Sequence, residues 1–139
     1  MNQNVATTTY NPILLLAGRI LVALVFLISG IKKVTAVAGT AGYFAKLGFP
    51  MPEVMAWVAI AIEVGGGVLL IIGYRTRWVA WLLALFVGIA TFAAHRFWEL
   101  PDPAQNNMQM VHFLKNLAVI GGLLYVAAFG AGSASVDKA

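Results

Sequence analysis

The chain has 139 residues, of which 61 % are hydrophobic and only 10 % charged, with a formal net charge of +4 and a mean hydropathy of +0.87. A soluble domain carries about a quarter of its residues charged, so this chain could not coat its own surface in water. Cysteine is absent, which excludes disulfides, thiolate nucleophiles, iron–sulfur clusters and cysteine-held zinc. The basic residues are scattered through segment ends and short loops with no basic run. They read as flanks of membrane spans, and nucleic acid is not an expected partner.

In chain order, residues 1–11 are polar and expected to fray. They lack the basic start and small-residue cleavage site of a signal peptide, so the first apolar segment reads as a retained span. Four spans follow, at residues 12–33, 52–73, 78–97 and 110–129. Each has about the 20 residues that cross ~30 Å of hydrocarbon as a helix. Strands do not explain runs of this length, and in lipid the backbone must pair internally. The fold class is therefore all-α, a four-helix membrane bundle formed by residues 1–139 as one domain.

The linkers differ in character. Tyr74–Arg77 is short and makes a hairpin of spans two and three, with Gly73 as the stop. The segment 35–51 is longer and glycine-containing, with a short interfacial helix expected around Tyr43–Leu47. The segment 98–107 holds Pro101 and Pro103 and is expected to be irregular, and the tail 130–139 is small and polar. Trp57, Trp78, Trp81 and Trp98 lie near span ends, as an aromatic belt requires. An even number of spans puts both termini on one side. The flanking charges do not say which side: Arg75, Arg77 and Lys138 on the terminal side balance Lys32, Lys46 and Arg96 on the far side.

The informative residues are the polar ones inside the spans, because a charge at mid-bilayer costs roughly 2.5–3.5 kcal/mol and normally faces the bundle and a partner. Arg19 and Lys33 are separated by four helical turns and share a face of span one, through Phe26. Glu63 shares its face with Gly66 and Gly67, which admit a neighbouring helix closely. His112, Lys115 and Asn116 cluster at helical spacing, and His95 lies at the same end of its span as they do of theirs. Counted along each span from its terminal-side end, Arg19 and Glu63 lie at depths about 5 Å apart, so a pair between them is expected to tie spans one and two together. Lys33, His95, His112, Lys115 and Asn116 form a second, positive cluster nearer the far surface. Both histidines lie near one surface, so a bis-imidazole haem is not expected, nor any other metal site.

The series Arg19-Ile20, Gly30-Ile-Lys-Lys33, Gly48-Phe-Pro50, Glu63-Val-Gly-Gly-Gly67, Gly73-Tyr-Arg-Thr-Arg77, His95 and Phe113-Leu-Lys-Asn116 resembles the DoxX family of small bacterial membrane proteins. The resemblance covers roughly residues 12–130. It implies a four-helix bundle in the bacterial inner membrane with both termini cytoplasmic. It also implies a link to redox chemistry, as an oxidoreductase or redox-complex subunit associated with quinone-linked sulfur oxidation and with oxidative stress. It supplies no agreed catalytic residue.

The leading expectation is a membrane redox protein that binds a quinone, or another small aromatic or anionic ligand, in a polar intramembrane site. The site residues are Arg19, Lys33, Glu63, His95, His112, Lys115 and Asn116, with Phe26, Phe92 and Phe113 as apolar lining. Histidine and lysine can donate to a quinone carbonyl, and Glu63 and His95 are the candidate proton carriers. A complete enzyme would need a redox partner subunit, and a homo-oligomer stays open. The alternative is a non-catalytic assembly factor, anchor or small-solute carrier.

Overall fold

A computed structural model describes residues 9–138. The fraying expected at the amino terminus falls mostly on residues 1–8, outside those described. Among the described residues, four helices are long and apolar enough to cross a membrane. Helix α1 spans Pro12–Val34. Its cap is Asn11, whose Oδ1 accepts from the N–H groups of Ile13 and Leu14 at 2.9 and 3.4 Å. Pro12 follows at the first position, where its missing N–H costs nothing. Helix α2, Val37–Lys46, is the short helix expected near Tyr43, begun six residues earlier.

Helix α3 runs over Pro52–Ile72 and is interrupted by a π turn at Ala61–Gly65. It stops at Gly73, which adopts φ 71°. Gly73 is the one residue type that fits there, because a Cβ would collide with the Arg19 guanidinium and with Ser135. Helix α4 covers Thr76–Ala94 and α5 covers Pro103–Phe129.

Two boundaries depart from expectation. The third span ends at Ala94 rather than residue 97, and a 3₁₀ turn occupies Phe97–Glu99. The Asn106 amide donates to Phe97 O at 2.7 Å and to Leu100 O at 3.3 Å, so a side chain from α5 closes the turn. The fourth helix begins at residue 103 rather than 110, so the segment expected to be irregular is partly helical. Asp102 is an N-cap, accepting from Gln105 N at 3.0 Å, and Pro103 is the first helical residue. A proline that reads as a loop breaker is here a helix starter. At 1.5 Å per residue α5 reaches roughly 40 Å, more than a bilayer core, so its polar first turns emerge from the hydrocarbon.

The bundle closes as a ring in which α1 packs on α3 and α5, α4 packs along α5, and α4 meets the second half of α3. The core is Ala23, Phe26, Leu70, Val79, Ala80, Leu83, Ala84, Val87, Leu123 and Ala127. Four of these ten are alanine, and small residues at the seams let helices approach where lipid is as apolar as leucine. Gly66 and Gly67 make the close approaches expected of them, Gly66 against Leu83 of α4 and Gly67 against Leu27 of α1. The four tryptophans are 52–75 % exposed, consistent with an aromatic belt.

The tail is docked rather than merely trailing. Val136 N donates to Ile72 O at 3.0 Å and Asp137 N to Gly73 O at 2.9 Å. The Asp137 carboxylate accepts from Arg75 N and Thr76 N, both at 2.8 Å. It thereby caps α4 from a distant point in the chain, since Arg75 at the N-cap position makes no side-chain cap of its own. The Thr76 backbone N–H first, then the Thr76 side chain and the Arg75 N–H, and last the nearby Arg19 charge, outweigh burial and hold the Asp137 carboxyl below the usual carboxylate range. Tyr10 packs edge-on against Phe129 with ring centroids 5.1 Å apart, so both chain ends meet at one end of the bundle.

Candidate functional site

Arg19 and Glu63 do not pair. Arg19 is 1 % exposed, and its guanidinium donates to Leu70 O at 2.9 Å, Ile71 O at 3.2 Å and Ala134 O at 2.5 Å. Leu70 and Ile71 belong to the last turn of α3, whose carbonyls lack helical donors and carry the negative end of the helix dipole. The expected pair fails because the two helices are staggered. Gly30 of α1 lies against Glu63 and Val64, while Arg19 lies against Gly73. Eleven residues of helix, roughly 16 Å, therefore separate Arg19 from the level of Glu63. Counting depth from the nominal ends of each span assumed those ends to be flush.

The partner of Glu63 is Lys33. Lys33 Nζ lies 2.9 Å from Glu63 Oε2 and 3.0 Å from Oε1. Ser29 joins both: it accepts from Lys33 Nζ at 2.7 Å and donates to Glu63 Oε1 at 3.0 Å. Two local features place this triad. The π turn at Ala61–Gly65 widens α3 at Glu63. Gly30 lets α1 approach, since a Cβ there would lie 2.7 Å from Val64 Cγ2 and 3.1 Å from Glu63 Cβ. The Glu63 side chain is 7 % exposed and that of Lys33 23 %, so the carboxylate depends on its partner more than the ammonium does.

The triad forms the polar end of a cavity of about 450 Å³. Among the described residues its charged lining is Lys33 and Glu63, with Ser29, His95, Asn116 and Tyr43 as further polar groups. The rest of the wall is apolar, including Phe26 of α1, Phe44 of α2, Ala59 of α3 and Phe86 of α4. Asn116 Nδ2 donates to Thr91 Oγ1 at 3.0 Å, and the buried Thr91 hydroxyl donates back to Val87 O at 2.6 Å. This chain of bonds locks α4 to α5 beside the cavity.

The expected second cluster is divided. His95 lines the cavity and stacks on His112 with ring centroids 5.3 Å apart. His95 Nδ1 is also 2.7 Å from Gln109 Oε1. His112 therefore supports His95 from behind rather than lining the cavity. Lys115 is exposed on α5 and is not brought to the site. Phe92 and Phe113 form an edge-to-face pair with Phe97 and Trp98 nearby, and neither lines the cavity. Arg19 borders a smaller hollow between α1 and α5 instead. Of the seven candidates, the structure gathers Lys33, Glu63, His95 and Asn116. It adds Ser29, Tyr43 and Phe44, of which only Ser29 left a sequence signal, one helical turn before Lys33.

The arrangement can do two things chemically. Lys33 can donate a hydrogen bond to an oxygen placed in the cavity, while His95, whose Nδ1 faces the Gln109 oxygen, keeps Nε2 as an acceptor in its neutral form. The contacting Lys33–Ser29–Glu63 groups can pass a proton.

Known proteins bear on the same chain. The inner membrane protein YphA of Escherichia coli (strain K12) is 35 % identical over 127 residues, which cover 91 % of this chain and 90 % of that protein. YqjF, another inner membrane protein of that organism, is 32 % identical over 123 residues, 88 % of each chain. CatD of Bacillus subtilis (strain 168), provisionally named an oxidoreductase, is 39 % identical over 67 residues, 48 % of each chain. No solved structure matches the chain. The DoxX pattern itself fits residues 14–96, more than half of the length, and this protein is a multi-pass membrane protein of the DoxX family.

Proposed function

We propose that this protein is a redox protein of the bacterial inner membrane, an oxidoreductase or a subunit of a redox complex, that holds a quinone or similar small aromatic in the cavity between its helices. The observation that carries this reading is the cavity itself: an apolar chamber inside the bundle, of a size that accepts a substituted ring, with Lys33, Glu63, Ser29 and His95 gathered on its polar wall. A ring carbonyl accepts from Lys33, a ring hydroxyl donates to His95 Nε2, and the Glu63 carboxyl supplies a proton that reduction of the ring consumes or takes one that its reoxidation releases. With no cysteine in the chain, electrons reach or leave the ring through a bound cofactor or a partner subunit. The name of CatD supports a redox role. In this reading both termini are cytoplasmic, an orientation the family resemblance supports, and the Lys33 end of the cavity faces the other side. An export-dependent reporter fused at Ala139 should be inactive, and an active one would reverse the orientation.

The test is an optical spectrum and quinone analysis of detergent-purified protein, followed by titration with quinone. Co-purified quinone, or saturable binding lost in Glu63→Gln and His95→Ala, is the expected result. Protein that purifies without a chromophore, binds no quinone and still complements a deletion strain would move the function to the second reading, a non-catalytic anchor, assembly factor or carrier. The feature that favours that reading is the Lys33–Glu63 contact, in which each charge already satisfies the other.

A further inference from the structure

The cavity has a second boundary that the polar residues do not explain. The α3–α4 hairpin is still close two helical turns beyond its loop, where Gly66 meets Leu83, and then opens. No Cα of residues 52–60 comes within 8 Å of a Cα of α4. Helix α2 packs against this outer half of α3 and lends Tyr43 and Phe44 to the cavity wall, but none of its Cα atoms comes within 8 Å of a Cα of α4. Val58 on α3 and Ile89 on α4 both belong to the cavity wall, yet they are 43 % and 55 % exposed. Val25 of α1 and Tyr43 of α2 are wall residues of similar exposure, 49 % and 46 %, but Val58 and Ile89 are the exposed wall residues that flank the stretch where α3 and α4 stand apart.

The two residues also lie at similar depth. Counted from the Gly66–Leu83 contact, Val58 is eight residues further along α3 and Ile89 six further along α4, roughly 12 and 9 Å. Each is still five or six residues inside the end of its helix, within the hydrocarbon. The lips of the opening are aliphatic, so what they face is lipid rather than water.

Resting on the reading of this cavity as a ligand site, we infer that its ligand is a neutral, bilayer-dissolved amphiphile that enters sideways between the outer halves of α3 and α4. Its hydrogen-bonding head reaches Lys33, Ser29 and Glu63, and its hydrocarbon tail stays in the gap between Val58 and Ile89. Neutrality follows from the triad: Lys33 and Glu63 already cancel, so a charged head would enter a poorly hydrated chamber without a counter-ion. The tail follows from the gap, which a compact water-soluble solute would leave open to lipid. A tailed quinone belongs to this class, and a small anion does not.

The test uses the full chain in lipid nanodiscs containing a phospholipid with a diazirine at the end of one acyl chain. Irradiation should label Ala59 and Val87, cavity-wall residues that are 3 % and 7 % exposed, and an excess of decyl-tailed benzoquinone should suppress that label. Plugging the gap with Val58→Trp/Ile89→Trp should lower the label about tenfold, equivalent to about 1.4 kcal/mol of lost tail occupancy. Labelling of the outer face of α1 at Leu21 and Leu24 should stay unchanged. Val58→Ala/Ile89→Ala, which widens the gap, should raise the cavity label and keeps the test decisive where the tryptophan variant does not fold. Lateral entry is overturned when Ala59 and Val87 stay unlabelled in the wild type, or when their label ignores both pairs of substitutions. A label that follows the gap but is not displaced by the benzoquinone upholds lateral entry of a tailed lipid and overturns the quinone reading alone.

Discussion

Substituting Lys33 by methionine leaves Glu63 with Ser29 as its remaining side-chain partner, at a position where the carboxylate is 7 % exposed. Removing one member of a buried ion pair costs about 3–5 kcal/mol, because the other charge is stranded. The retained Ser29 bond puts Lys33→Met at the lower end of that range. The opposite change should be milder. In Glu63→Leu the ammonium that loses its partner is 23 % exposed and sits one residue before the end of α1. Its stem can swing the charge toward the headgroups, so the cost should be about 1–2 kcal/mol. The double variant Lys33→Met/Glu63→Leu removes both charges and should cost less than Lys33→Met alone. The resulting coupling energy is at least about 1–2 kcal/mol. Reversible unfolding in mixed micelles, followed by far-UV circular dichroism, measures all three. Equal costs for the two single variants, with a double variant that equals their sum, would refute both the pairing and the argument from unequal exposure.

Three further outcomes follow from the same geometry. Arg19→Leu removes the donor to three carbonyls and should cost about 2–4 kcal/mol; combined with Glu63→Leu its effect should add to within about 0.5 kcal/mol, as for residues that never meet, and limited proteolysis should show the released tail near Ala134. Gly30→Ala places a methyl 2.7 Å from Val64 Cγ2 and should cost about 1–3 kcal/mol in the same unfolding assay by forcing α1 from α3. Asp137→Ala uncaps α4 and should cost about 1 kcal/mol at neutral pH. Because the folded carboxyl sits below its ordinary value of about 3.8, the Asp137 contribution is complete above that pH and lost as pH falls through the folded value. The gap between wild type and Asp137→Ala should therefore close in acid, as pH-dependent melting would read directly.

Much of the architecture was legible because lipid imposes a simple rule. Twenty apolar residues in a row can do little but cross the membrane as a helix, so four spans, their small-residue faces and the tryptophan belt follow from residue order alone. The same rule marked Arg19, Lys33, Glu63 and the His95–Asn116 group as costly and hence inward-facing, and for Lys33, Glu63, His95 and Asn116 that expectation met the cavity. What residue order could not supply was who meets whom. Pairing depends on how far one helix slides past another, and the stagger of α1 against α3 exchanged Arg19 for Lys33 as the partner of Glu63. Backbone carbonyls have no letter in a sequence, so the acceptors of Arg19 at the end of α3 and at Ala134 were invisible. The same holds for the reach of Asp137 across 61 residues to Thr76, and for the outer halves of α3 and α4 standing apart. Local chemistry names the groups that must be satisfied, but the register of packed helices chooses the partners that satisfy them.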